Sequence, residues 1–219
     1  LAAAERPLLL AGRGAWTAGA GEQLGRLADA VGALTASTAL GRGVFPRGEF
    51  DLGVTGGFGA EGAMDAIRDA DVVVVFGASL NQFTMRFGEL FSPEATIAQV
   101  DVAPAATHPQ VGRFLRADAA LAARAIADEL ERLGAAPSNW RDQVDVAGLG
   151  ERDAGDGLAP DGRLDPRSAA AAIADLLPED RVVVSDGGHF IGWANMFWPV
   201  ASPDRMMMIG TAYQSIGLG

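Results

Sequence analysis

Cysteine is absent from the 219 residues, so disulfides, thiolate nucleophiles and thiolate-bound metals are excluded, as suits a reducing compartment. Histidine is scarce as well: His108 and His189 are the two, too few to build a histidine-rich metal site. There is no lysine-rich run, and the formal net charge is −11. A surface that tracks nucleic-acid phosphates needs clustered cations, so no nucleic-acid partner is expected. Apolar runs such as Val72 to Phe76 fall far short of the roughly 20 residues that cross a bilayer, and the chain does not open on a signal-peptide pattern. A cytoplasmic protein with no membrane partner is expected. Ser37, Ser79 and Ser185 lack any Gly-x-Ser-x-Gly context, which argues against a serine hydrolase.

What is present is ample material for a core, 49% hydrophobic residues, arranged in alternating strand-like and helix-like segments. Leu8 to Gly12 reads as a first strand, and Gly21 to Val31 as an amphipathic helix with Leu24, Leu27, Ala28 and Val31 on one face. Ala33 to Thr38 reads as a second strand, followed by a glycine-rich stretch, Gly41 to Gly62, too long for an idle connector. Ala60 to Ala70 is expected to be helical. Val72 to Gly77 is apolar on both faces and so suits a central buried strand, and Thr96 to Val102 makes a further one. Ala117 to Leu133 is the clearest helix, with Asp118 near its start and Gly134 at its end. The pattern predicts an α/β chain: a parallel-sheet, Rossmann-like domain over residues 1–135, a linker over 136–160, and the opening of a second α/β domain over 161–219. Leu1 is not an initiator Met and Gly219 follows a turn without a capping element, so an excerpt of a longer protein, of bacterial composition, is expected.

The second domain carries the sharpest signal. Arg181 to Ser185 opens into Asp186-Gly187-Gly188-His189 and a helix-compatible segment, Phe190 to Phe197. Glycines ahead of a helix expose backbone N–H groups suited to a phosphate or diphosphate. A second apolar run, Met206 to Ile209, then leads into Gly210-Thr211-Ala212-Tyr213-Gln214-Ser215-Ile216-Gly217. Two glycine-punctuated strand exits so close together predict one ligand gripped from two sides at the carboxyl edge of a parallel sheet.

Several segments taken in order carry a family resemblance: Pro7 to Gly14, Asp71 to Ala78, Gln99-Val100-Asp101 and the two terminal turns. Through them the chain resembles thiamine diphosphate-dependent enzymes of the acetohydroxyacid synthase, pyruvate oxidase and benzoylformate decarboxylase type. The resemblance implies that residues 1–135 form the central domain and 161–219 the start of the diphosphate-binding domain. It implies thiamine diphosphate contacts from Asp186, Gly187, Gly188, His189, Gln214, Ser215 and Ile216, with Ile216 as the aliphatic wedge that bends thiamine into a V and the Gln214 carbonyl as acceptor for its amino group. The bent form brings the amino nitrogen close to the reacting carbon, which makes proton removal an intramolecular step. Magnesium is implied too, its ligands and the activating glutamate lying outside this chain, so no catalytic or metal residue is expected within it. The implied substrate is a 2-oxo acid, and the implied assembly a homodimer or homotetramer.

Flavin-binding members of that family hold FAD near segments matching Gly12, Arg13, Gly14, Thr38, Gly77, Ser79 and Asp101. The glycines are here, but Ser79 stands where the synthases carry an arginine, and Thr17 occupies the third glycine position of a dinucleotide fingerprint. FAD therefore stays an open alternative beside a vestigial or empty site. A non-catalytic nucleotide-binding module is the alternative function, and the broken fingerprint discourages a nicotinamide-dependent dehydrogenase.

Overall fold

The computed structural model describes residues 1–188, 190–208 and 217. Its main body is a parallel sheet flanked by helices. β1 (Pro7–Ala11) leads through α1 (Arg13–Thr17) and α2 (Gly21–Val31) to β2 (Leu34–Ser37). β3 (Asp51–Val54), α3 (Glu61–Arg68), β4 (Val72–Phe76), β5 (Thr96–Asp101), β6 (Arg113–Arg116) and α4 (Ala119–Arg132) follow. The strand order is β3-β2-β1-β4-β5-β6 with every pairing parallel. The sheet thus grows outward in both directions from the β1/β4 boundary, the doubly wound topology.

Strand alternation sorts the apolar residues into two cores. Leu8, Leu10, Val73 and Val75 face α3, while Leu9, Ala11, Val74 and Phe76 face α2 and α4. α2 buries Leu24, Leu27, Ala28 and Val31, as its periodicity predicts, and stops at Gly32, whose φ of +66° is left-handed. α4 is capped by Asp118, whose side chain accepts hydrogen bonds from the N–H groups of Ala120 and Leu121. Two strands were not expected. β3 lies inside the glycine-rich stretch and alternates half-buried with buried residues, and β6 is an edge strand of sequence Arg-Phe-Leu-Arg with little buried surface.

Residues 138–152 pack against the first unit, while Asp153, Ala154 and Gly157 bond Arg167, Ser168 and Asp165. Trp140 is buried in the core beside α3, Arg141 pairs with Asp29 at 2.7 Å and lies over the Phe50 ring, and α5 (Val146–Leu149) touches α3. A smaller unit follows: α6 (Pro166–Leu176), β7 (Val183–Ser185), α7 (Ile191–Phe197) and β8 (Met206–Met208), with β7 and β8 parallel. Val183, Ala194, Val200 and Met206 form its core, and the Trp198 indole donates to the Ala170 carbonyl at 2.9 Å. Among the described residues, no helix is long and apolar enough to cross a membrane.

Candidate functional site

β7 and β8 are parallel, and Asp186, which follows β7, bonds a glycine from the stretch beyond β8. Asp186, buried directly after β7, accepts a hydrogen bond from its neighbour Gly187 N–H at 2.6 Å through Oδ1, and from Gly217 N–H at 2.8 Å through Oδ2. The carboxylate is thus turned onto the backbone donors of Gly187 and Gly217. Gly188 takes a φ of +125°, open to glycine alone, and its carbonyl accepts from Ile191 N–H as α7 begins. Among the described residues no hydrogen bond engages the N–H groups of Gly188 or Phe190. Free backbone donors beside a carboxylate already occupied by other N–H groups fit an anion with phosphate oxygens. His189, Gln214, Ser215 and Ile216 lie outside the described residues.

A feature that sequence reasoning passed over stands at the far end of α7. Arg42, only 9% exposed in the turn between β2 and β3, donates to the carbonyl oxygen of Trp198 at 2.9 Å and to that of Asn195. Asn195 in turn donates to the Ile191 carbonyl at 2.9 Å and touches Met208 Sδ. Burial pushes the Arg42 guanidinium down to about 10, the nearby Arg152 adding to the effect and Asp51 opposing it. Asp51 shows the reverse. Burial pushes its carboxyl up to about 7, although the Gly53 N–H and Arg42 both pull it down. The sequence signal for Arg42 was faint: a single cation between two glycines in an otherwise apolar turn, Gly41-Arg42-Gly43-Val44.

The candidate nucleotide residues gather only in part. Gly12 and Gly14 face Gly77 across the β1/β4 exits, Gly14 N–H donating to the Gly77 carbonyl at 2.9 Å. A Cβ at Gly12 would stand 2.5 Å from that carbonyl oxygen. Close crossing of two backbones therefore accounts for these glycines without a ligand. Gly14, Gly77 and Asp101 line a cleft of about 190 Å³ beside Asp118. Arg13 lies over the Trp16 ring within its own helix, Thr38 N–H bonds the Ala11 carbonyl, and Ser79 is exposed; none of these three lines the cleft. A larger cavity of about 420 Å³ is walled by α3 and residues 140–149, away from both terminal turns. Among the described residues, no group of three or more His, Asp or Glu side chains is placed to hold a metal ion.

Comparison with known proteins bears on both halves. Residues 1–128 match the family model described as the central domain of thiamine pyrophosphate enzymes. The chain is 35% identical over 119 residues to the probable acetolactate synthase large subunit of Methanocaldococcus jannaschii, covering 54% of this chain and 20% of that protein. It is 27% identical over 222 residues to an acetolactate synthase of Mycobacterium avium, covering 96% of this chain and 35% of that protein. With the acetolactate synthase isozyme 3 large subunit of Escherichia coli it shares 24% identity over 222 residues, 96% of this chain and 38% of the relative. The chain thus spans between about a fifth and two fifths of the length of these relatives.

Proposed function

The chain belongs to the thiamine pyrophosphate enzyme family through a central domain at residues 1–128, and we propose that it serves an enzyme that makes or breaks a carbon–carbon bond beside the carbonyl of a 2-oxo acid. Residues 161–219 are the opening of the diphosphate-binding domain in this reading. The observation that carries it is the Asp186 bridge: a buried carboxylate that accepts hydrogen bonds from the N–H groups of Gly187 and of Gly217, the latter 31 residues further along the chain. Acetolactate synthases align over both units, which favours acetolactate synthase-like chemistry over a non-catalytic nucleotide-binding module.

When bound, thiamine diphosphate supplies an electron sink next to the substrate carbonyl. The protein supplies position. The Gly188 and Phe190 N–H groups, with His189, would hold the diphosphate, and Asp186 ties Gly217 to the same place. Gln214, Ser215 and Ile216 would hold the thiamine end. Magnesium, a hard cation, would take oxygen ligands, and the site would be completed across subunits of a homodimer or homotetramer. FAD stays an open alternative beside a vestigial or empty site, since Gly14, Gly77 and Asp101 share a cleft that Arg13, Thr38 and Ser79 do not line.

Mass spectrometry of small molecules released from the intact protein tests the reading, together with carbon dioxide release from pyruvate. Thiamine diphosphate is expected, and the same spectrum decides whether flavin accompanies it. Saturable NAD binding with no thiamine diphosphate would overturn it.

A further inference from the structure

Arg42 belongs to the first unit, yet both of its hydrogen bonds go to the second. Its two guanidinium nitrogens end on the Asn195 and Trp198 carbonyls, at the C-terminal end of α7. The last carbonyls of a helix have no partner within it and carry its negative dipole end, so a buried cation there satisfies both needs. The neighbouring backbone is shaped to the same contact. Gly43 has a φ of +80°, and a Cβ on it would fall 2.7 Å from the Ala201 carbonyl. Phe58 of the first unit meets α7 at the other end, beside Gly192.

α7 is seven residues long, about 10 Å at 1.5 Å per residue, and it starts where the Asp186–Gly188 turn finishes. Asn195 reaches back to the Ile191 carbonyl and sideways to Met208 at the end of β8. A helix held at its far end by a fork of two hydrogen bonds cannot slide or tilt without moving that turn.

Resting on the reading above, we infer that Arg42 is a positioning residue for cofactor retention: from the central domain it fixes α7, and through α7 the diphosphate turn, without touching the cofactor itself. The charged groups around it are Asp51 on β3 and Arg152 in the segment before α6. Neither is hydrogen-bonded to Arg42, so the helix carbonyls are its only hydrogen-bond partners among the described residues.

The experiment compares wild type, Arg42→Met and Arg42→Lys in the intact protein, measuring thiamine diphosphate binding directly by tryptophan fluorescence at fixed magnesium, then kcat and KM at saturating cofactor. Loss of two hydrogen bonds from a charged group predicts cofactor Kd raised about tenfold to a hundredfold in Arg42→Met. Arg42→Lys should fall between it and wild type, and added methylguanidinium should restore part of the loss. The KM for pyruvate, and kcat at saturation, should stay within about threefold of wild type. A folded Arg42→Met protein whose cofactor Kd matches wild type within about twofold overturns the inference and leaves the functional reading standing. Should Arg42→Met not fold, Arg42→Lys decides by the same criterion. Wild type that binds no thiamine diphosphate overturns both.

Discussion

At Gly77 two demands fall on one residue: a φ of +54°, and a position where a Cβ would lie 2.2 Å from the Ala15 backbone nitrogen. Gly77→Ala should therefore cost about 3 kcal/mol or more in urea unfolding, since neither backbone can yield. Gly53→Ala is the control. Its φ is +79° but its surroundings are open, so only the left-handed conformation is penalised, at about 1–2 kcal/mol. Equal losses at the two sites would show that the crossing at Gly77 is not tight. Asp51 makes a different kind of prediction. Its carboxyl ionises near 3.8 in the unfolded chain and near 7 in the folded one, so the folded state keeps a proton that the unfolded state gives up. Its contribution to stability is complete below pH 3.8, falls as pH rises to 7, and is constant above that. Asp51→Asn keeps an acceptor for Gly53 N–H. It should match wild type near pH 4 and exceed it at pH 8 by on the order of 4 kcal/mol, read as the difference between thermal melts at the two pH values. Asp29 slopes the other way: partial burial raises its carboxyl, but hydrogen bonds from Arg141 and Arg47 more than reverse this. A melt difference that does not change with pH would remove Asp51 as a buried acid.

Elements with strong periodicity or clear end signals could be read from the sequence because local rules and tertiary packing agree in them. α4 is such a case. Its Asp118 cap predicts that Asp118→Ala loses about 1 kcal/mol while Asp118→Asn, a comparable cap, loses little; chemical denaturation of the two variants separates capping from charge. β4 was legible because Val72 to Phe76 is apolar on both faces, as a strand buried on both sides must be. β3 and β6 were not. Asp-Leu-Gly-Val carries a glycine and an acid, and Arg-Phe-Leu-Arg sits at a sheet edge where arginine is favoured and burial is slight. Their strand form comes from the neighbour that pairs with them. The seat of Trp140 was hidden for a related reason, since a single buried residue leaves no period to detect.

For the whole molecule, the turns at Asp186 to Gly188 and at Gly217 could be read as separate phosphate-friendly exits, and the family resemblance supplied the ligand. That Asp186 would bind the two together depends on the parallel register of β7 and β8, which no sequence period encodes. Arg42 was equally hidden, because its partners are carbonyl oxygens about 150 residues away and carbonyls leave no trace in a sequence. If residues 186–190 and 214–217 hold one cofactor, thiamine diphosphate with magnesium should raise the melting temperature of the intact protein. At a hundred times Kd the gain is about 2.7 kcal/mol, or several degrees, and an unshifted scanning-fluorimetry curve would refute it. The central place of β1 also has a consequence in time. Leu8 pairs with Val73, about 65 residues further along the chain, so at roughly 5–20 residues per second the ribosome works for several seconds between making this strand and making that partner. A five-residue apolar ribbon, buried on both faces in the finished sheet, must meanwhile wait with one edge open, and that interval is when a chaperone would be of most use to the nascent chain.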